Sequence, residues 1–220
     1  MNEDTVQSEL AMLRTHALER LADVDEGDAL EPLIAAYVAF GVASCATTMN
    51  DDGMRAAASS AIDLGATLEE LAEVTVLVSA VGMHSMNEGA RVLKELARES
   101  GPKLPEPAGP DAEYLAKLLA DPYWQRLDEQ LPDFADTIVR LSPEAFRGFV
   151  DYCSVPWRAG SLPAKTKELV YLGIDATQTH RYGPGFRIHL GNAIDLGSSR
   201  REILEVLEIA AAAGPPRGVA

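Results

Sequence analysis

Between residues 168 and 189 the chain gathers side chains able to move a proton or hold an anion: Glu168, Asp175, His180, Arg181, Tyr182, Arg187 and His189. A histidine near a carboxylate is poised to gain or lose a proton near neutral pH, because burial lowers its pKa and the carboxylate raises it. His189 follows Phe186 by three residues and precedes Ala193 and Leu196 by four and seven, so helical spacing puts it on an apolar, inward stripe. Glu168, seven residues before Asp175 on the preceding predicted helix, is the carboxylate that could meet it. Two readings of His189 stay open on this pattern: an acid-base residue, or a buried histidine satisfied by a backbone carbonyl or a structural glutamate. His180 ends its helix just before RYGPG, a tight connection that can aim side chains into a cleft. As the last residue of a helix it also suits the helix dipole. Arg187, two residues before His189, points about 160° away from it at ~100° per residue, and is expected in a structural ion pair. His16 is expected at the surface, and His84 in the core or over a pocket.

The elements that must position these residues occur twice. Laid over itself at an offset of 132 residues, the chain aligns Gly41 with Gly173, Gly53 with Gly185, Arg55 with Arg187, and AIDLG (61–65) with AIDLG (193–197). Such a repeat means two equivalent helical units that can pack face to face. Each reads as three helices, with Gly65 and Gly197 as helix stops and Thr67/Glu70 and Ser199/Glu202 as capping boxes that open the next helix. The fold class is all-α, with two pseudo-symmetric repeats. In the first repeat Glu168 is replaced by Ala36, His180 by Thr48, Tyr182 by Asn50 and His189 by Ala57, so a site belongs to the second. The expected domains are 1–100, a Pro-rich linker over 101–112, and 113–220, with Ser142 and Pro143 as cap and first-turn residue of a further helix. The first repeat continues into SAVGMHSMNEGARVLKELARES, whereas Pro215 and Pro216 forbid an equivalent helix after the second. An apolar face of Ile203, Val206, Leu207 and Ala210 is therefore expected to seek cover, from a neighbouring chain in a homo-oligomer or from the first repeat.

Bulk properties restrict the partners. Acidic residues outnumber basic ones 34 to 19, giving a net charge of −15 and a pI near 4.6, a surface that repels phosphate backbones and anionic lipids. No nucleic acid and no membrane partner are expected, and a small molecule is. The N-terminus lacks the basic start and apolar core of a secretory signal, which predicts a cytoplasmic protein. Cys45 and Cys153 form no metal or redox spacing, so both read as reduced, buried thiols and no metal site is expected.

The segments LPAKTKELVYLGIDA and RIHLGNAIDLGSSRREILEVLEIA resemble the carboxymuconolactone decarboxylase and alkylhydroperoxidase D superfamily, and the first repeat, from about Leu30 to Leu96, matches more weakly. The resemblance implies an alkylhydroperoxidase D-like helical fold and a homo-oligomer, trimeric or hexameric. In the peroxidase branch a CxxC precedes the histidine. Here those positions hold Tyr182 and Gly185, which disfavours a thiol peroxidase. The decarboxylase branch implies a cofactor-free lyase or isomerase of aromatic catabolism, acting on a small carboxylated lactone or ring. In that reading His189 is the proton donor, Glu168 its partner, and His180 a further catalytic group. Arg181, Tyr182 and Asp175 would bind the substrate. The other implied class is a non-catalytic member that binds a small molecule or serves assembly.

Overall fold

The computed structural model describes residues 3–99 and 103–214, with side chains from residue 11 onward. Among the described residues every regular element is a helix, with no strand. In chain order these are α1 (Glu3–Arg20), α2 (Pro32–Ser44), α3 (Asp51–Asp63), α4 (Leu68–Ala80), α5 (Met83–Glu99), α6 (Pro110–Ala120), α7 (Pro122–Gln130), α8 (Phe134–Leu141), α9 (Pro143–Cys153), α10 (Val155–Ala159), α11 (Ala164–Asp175), α12 (Gly183–Asp195) and α13 (Arg200–Ala212). None is long and apolar enough to cross a membrane. The chain forms two compact units, Met1–Val81 with Pro156–Ala220, and Gly82–Val155. Packing boundaries and repeat boundaries therefore differ. The two repeats share one core, and α5, the continuation of the first repeat, belongs to the other unit.

In the first unit the helices recur in register. α12 begins and ends 132 residues after α3, at Gly183 and Asp195 against Asp51 and Asp63, and α13 stands in the same relation to α4. Gly65 and Gly197 adopt φ of +100° and +82°, the left-handed conformation that ends a helix cheaply only with glycine. Both capping boxes form, with Glu70 N donating to Thr67 Oγ1 at 3.1 Å and Glu202 N to Ser199 Oγ at 3.0 Å, and each glutamate returning to its cap's N–H at 2.8 Å. α2 and α11 meet through exchanged contacts. A Cβ on Gly41 would stand 2.8 Å from Val170 Cγ1, and one on Gly173 would stand 2.8 Å from Val38 Cγ1. Since Gly41 and Val38 are the counterparts of Gly173 and Val170, this is the reciprocity of a pseudo-twofold axis. The same exchange appears in polar contacts: Glu205 accepts Leu30 N at 2.9 Å, and Glu73 accepts Leu162 N at 3.1 Å.

This packing decides between the two covers expected for the face of α13, in favour of the same chain rather than an oligomer partner. Ile203, Val206 and Ala210 are fully buried under α2 and α11 of the same chain, with Leu207 packed beside them, so they leave no apolar stripe for a neighbour. Pro215 and Pro216 lie outside the described residues.

The second unit, built on α5 to α9, has an aromatic centre in which Phe146 touches Tyr114, Trp124, Phe134 and Phe149. Asp136 ties it together, accepting from Lys94 at 3.1 Å and Arg140 at 2.8 Å. α6 starts at Pro110, inside the segment expected as linker, because proline is well placed in a helix's first turn. Pro143 opens α9 as expected, but the Ser142 side chain makes no capping bond. At φ −156° and ψ 76° its backbone departs from usual cap geometry.

Candidate functional site

α11 is buried at every position from Thr166 to Asp175, which carries Glu168 and Asp175 into the core two turns apart on one face. α12 lies against that face. Its His189 directs Nδ1 to Glu168 Oε2 at 2.6 Å, while Nε2 stands 3.9 Å from Asp175 Oδ2. The imidazole thus lies between two carboxylates. His180, on the turn after α11, brings Nε2 to 3.5 Å from Asp175 Oδ1, and Tyr182 lies beside it with ring centroids 6.1 Å apart. A side chain at 185 would collide with the Asp175 carboxylate, so Gly185 at the start of α12 makes the room that this acid occupies.

Each titrating group is displaced by its setting. Burial alone would lower the His189 pKa, but the hydrogen bond and charge of Glu168, with the charge of Asp175, outweigh it and raise the pKa above the ordinary histidine value. Burial pushes the Asp175 carboxyl up to about 7, with His189 opposing and Glu168 assisting the shift. Burial lowers His180. The site therefore holds a histidine that tends to the cation, a carboxylic acid that tends to be neutral, and a histidine that tends to be neutral.

The connection from α11 to α12 is also a repeated object. Arg181 has φ +48° and its counterpart Met49 has φ +42°. Tyr182 N donates to Asp175 O at 3.1 Å just as Asn50 N donates to Ala43 O at 2.9 Å. The left-handed residue belongs to the turn, since the repeat without histidines keeps it.

Three features were not read from the sequence. Asn192 donates Nδ2 to Glu168 Oε1 at 3.1 Å, so α12 grips both oxygens of that carboxylate from positions one turn apart. Tyr171 stacks on His189, with centroids 4.7 Å apart and ring planes 21° from parallel. Lys167 is buried, with Nζ 2.6 Å from Pro156 O and 3.0 Å from Glu73 Oε1. The signal for Asn192 was its place three residues after His189, opposite Ser60 in the repeat that lacks the pair.

Two expectations are corrected. Arg187 is exposed and makes no ion pair among the described residues, because the acid that its counterpart Arg55 binds, Asp51, is replaced at the equivalent position by Gly183. His16 is partly buried, packed edge-on against Phe186 of α12 with centroids 6.4 Å apart. His84, near the start of α5, is partly buried; Cys45 and Cys153 are free thiols, Cys45 buried as expected and Cys153 only partly so.

The model of the Carboxymuconolactone decarboxylase family matches residues 143–217, the span containing Glu168, Asp175, His180, His189 and Asn192. A crystal structure of a Burkholderia xenovorans protein, named as a candidate γ-carboxymuconolactone decarboxylase subunit, superposes with a TM-score of 0.69 at 29% sequence identity. The likeness covers 96% of this chain and 90% of that one. No curated protein matches the chain. The fold is the all-α, alkylhydroperoxidase D-like one.

Proposed function

From the carboxymuconolactone decarboxylase family segment that the chain carries over residues 143–217, we propose that it is a cofactor-free acid-base enzyme that decarboxylates a small carboxylated lactone or related ring. The observation that supports this most is the 2.6 Å contact between His189 Nδ1 and Glu168 Oε2, in the repeat that carries that segment. When carbon dioxide leaves, the electrons of the broken C–C bond pass through the conjugated ring double bond to the lactone carbonyl as a dienolate. That dienolate needs an acid to return it to a C–H.

His189 supplies the proton. With Nδ1 turned to Glu168, Nε2 is the nitrogen left to serve a substrate, and the raised pKa favours the charged, donating form. Glu168 acts through His189, fixing its orientation and stabilising the cation, and His189 recovers its proton from water. Asp175, whose pKa is pushed up to about 7, is a neutral donor below that pH and does not repel an anionic substrate. His180, Arg181 and Tyr182, on the turn that begins the α12 side of the site, are assigned to the substrate carboxylate and ring. The test is to incubate the protein with γ-carboxymuconolactone in deuterated water. Carbon dioxide release with one deuterium taken from solvent at the ring carbon next to the lactone carbonyl is expected. Absence of release from this and related carboxylated lactones would overturn the reading.

A further inference from the structure

We infer that Asn192 is a positioning residue of the site, one that locks Glu168 so that His189 carries its fixed proton on Nδ1 and presents Nε2 to substrate. The kinetic part rests on the acid-base reading above; the structural part does not.

A carboxylate on a buried helix has two oxygens and a free torsion, and a single bond to histidine leaves it able to turn. Here both oxygens are taken by α12: Oε2 by His189 Nδ1 at 2.6 Å and Oε1 by Asn192 Nδ2 at 3.1 Å. The two donors come from residues three apart, one helical turn, so their spacing matches the bite of one carboxylate. Tyr171, stacked on the opposite partner, fixes the plane of the imidazole. Asn192 fixes the plane of the acid. Rotation of Glu168 would release Nδ1, and the neutral ring could then place its proton on either nitrogen. The first repeat supports the grouping, since Glu168, His189 and Asn192 are replaced there by Ala36, Ala57 and Ser60 together. Asparagine suits the task because it donates without titrating, so its bond persists at every pH at which the acid works.

The experiment uses the full chain with ¹⁵N-labelled histidine. At a pH above its titration, wild-type His189 should show one protonated Nδ1 and one unprotonated Nε2. Asn192→Leu, which keeps much of the volume and removes the donor, and Asn192→Ala should both give averaged shifts of two exchanging tautomers. With γ-carboxymuconolactone as probe, kcat should fall about 10- to 100-fold, the range for losing an orienting partner, with KM within about twofold. A Leu variant with the wild-type tautomer and kcat overturns the inference. Should both variants fail to fold, the wild-type Asn192 side-chain amide decides: slow hydrogen exchange of its bonded proton supports the role, and exchange at the rate of a solvent-exposed amide refutes it. If no carboxylated lactone turns over, the decarboxylase reading fails while the tautomer result still decides Asn192.

Discussion

Glu205 accepts the backbone N–H of Leu30 at 2.9 Å, across 175 residues of sequence, and Glu73 does the same for Leu162 in the opposite direction. The two exchanges are related by the repeat but differ in setting. Glu73 also accepts from Ser161 N at 2.7 Å and pairs with the buried Lys167, and these partners together hold its pKa down against the raising effect of burial. Glu73→Gln should therefore cost about 3–5 kcal/mol, by leaving Lys167 uncompensated. Glu205→Gln should cost about 1 kcal/mol, the worth of one hydrogen bond. Urea unfolding of both variants checks the order. Because the Glu73 pKa is depressed, its contribution is present above the unfolded carboxylate pKa and lost as the pH falls through the folded one.

The crossing of α2 and α11 makes its own prediction. Gly173→Ala places a methyl 2.8 Å from Val38 Cγ1 on a helix with no room to retreat, and should destabilise by about 1–3 kcal/mol despite alanine's better helix propensity. Adding Val38→Ala should restore part of the loss. Thermal melts of the single and double variants measure the coupling.

Asp175 predicts a pH dependence of stability. Its folded pKa is about 7 against a reference value of 3.8, so folding takes up a proton between those two pH values. The sign follows: the unfolded state is ionised first, and stability declines as pH rises through the window. Asp175→Asn, which cannot ionise, should lose less stability than wild type between pH 5 and about 8. Equal pH profiles would contradict the assignment.

The cysteines should be inert. Burial pushes the Cys153 thiol up to about 11, which leaves on the order of one thiolate in a thousand at pH 8. Native protein should react slowly with iodoacetamide, and a non-reduced peptide map after peroxide should show no link between Cys45 and Cys153.

The repeat was legible because its signals are local. A glycine stop, a cap and a glutamate three residues later have the same meaning wherever they stand, and they set the starts of α4 and α13. The meeting of Glu168 and His189 was legible as a candidate pair, since His189 lies on an inward stripe and Glu168 on the preceding helix, seven residues before Asp175. Asn192 was missed because, although it stands one turn after His189, an uncharged asparagine takes its meaning only from the carboxylate on another helix. Lysine is rarely buried unless paired. Only the Glu73 carboxylate, 94 positions earlier, explains how Lys167 can be buried. The cover of the apolar face of α13 stayed open between another chain and the first repeat for a related reason: spacing shows that a stripe needs cover, and the exchanged packing of α2 and α11 decides which helices supply it.

The central claim is that His189 delivers a proton, and the most direct measurement is the turnover of His189→Gln on γ-carboxymuconolactone, taken together with its melting temperature. Glutamine keeps a hydrogen-bonding side chain in the place of the ring but cannot titrate. The account predicts a fall in kcat of roughly 100- to 10,000-fold with the fold intact, the loss expected on removing a general acid. A His189→Gln protein that turns over the lactone at the wild-type rate would contradict it.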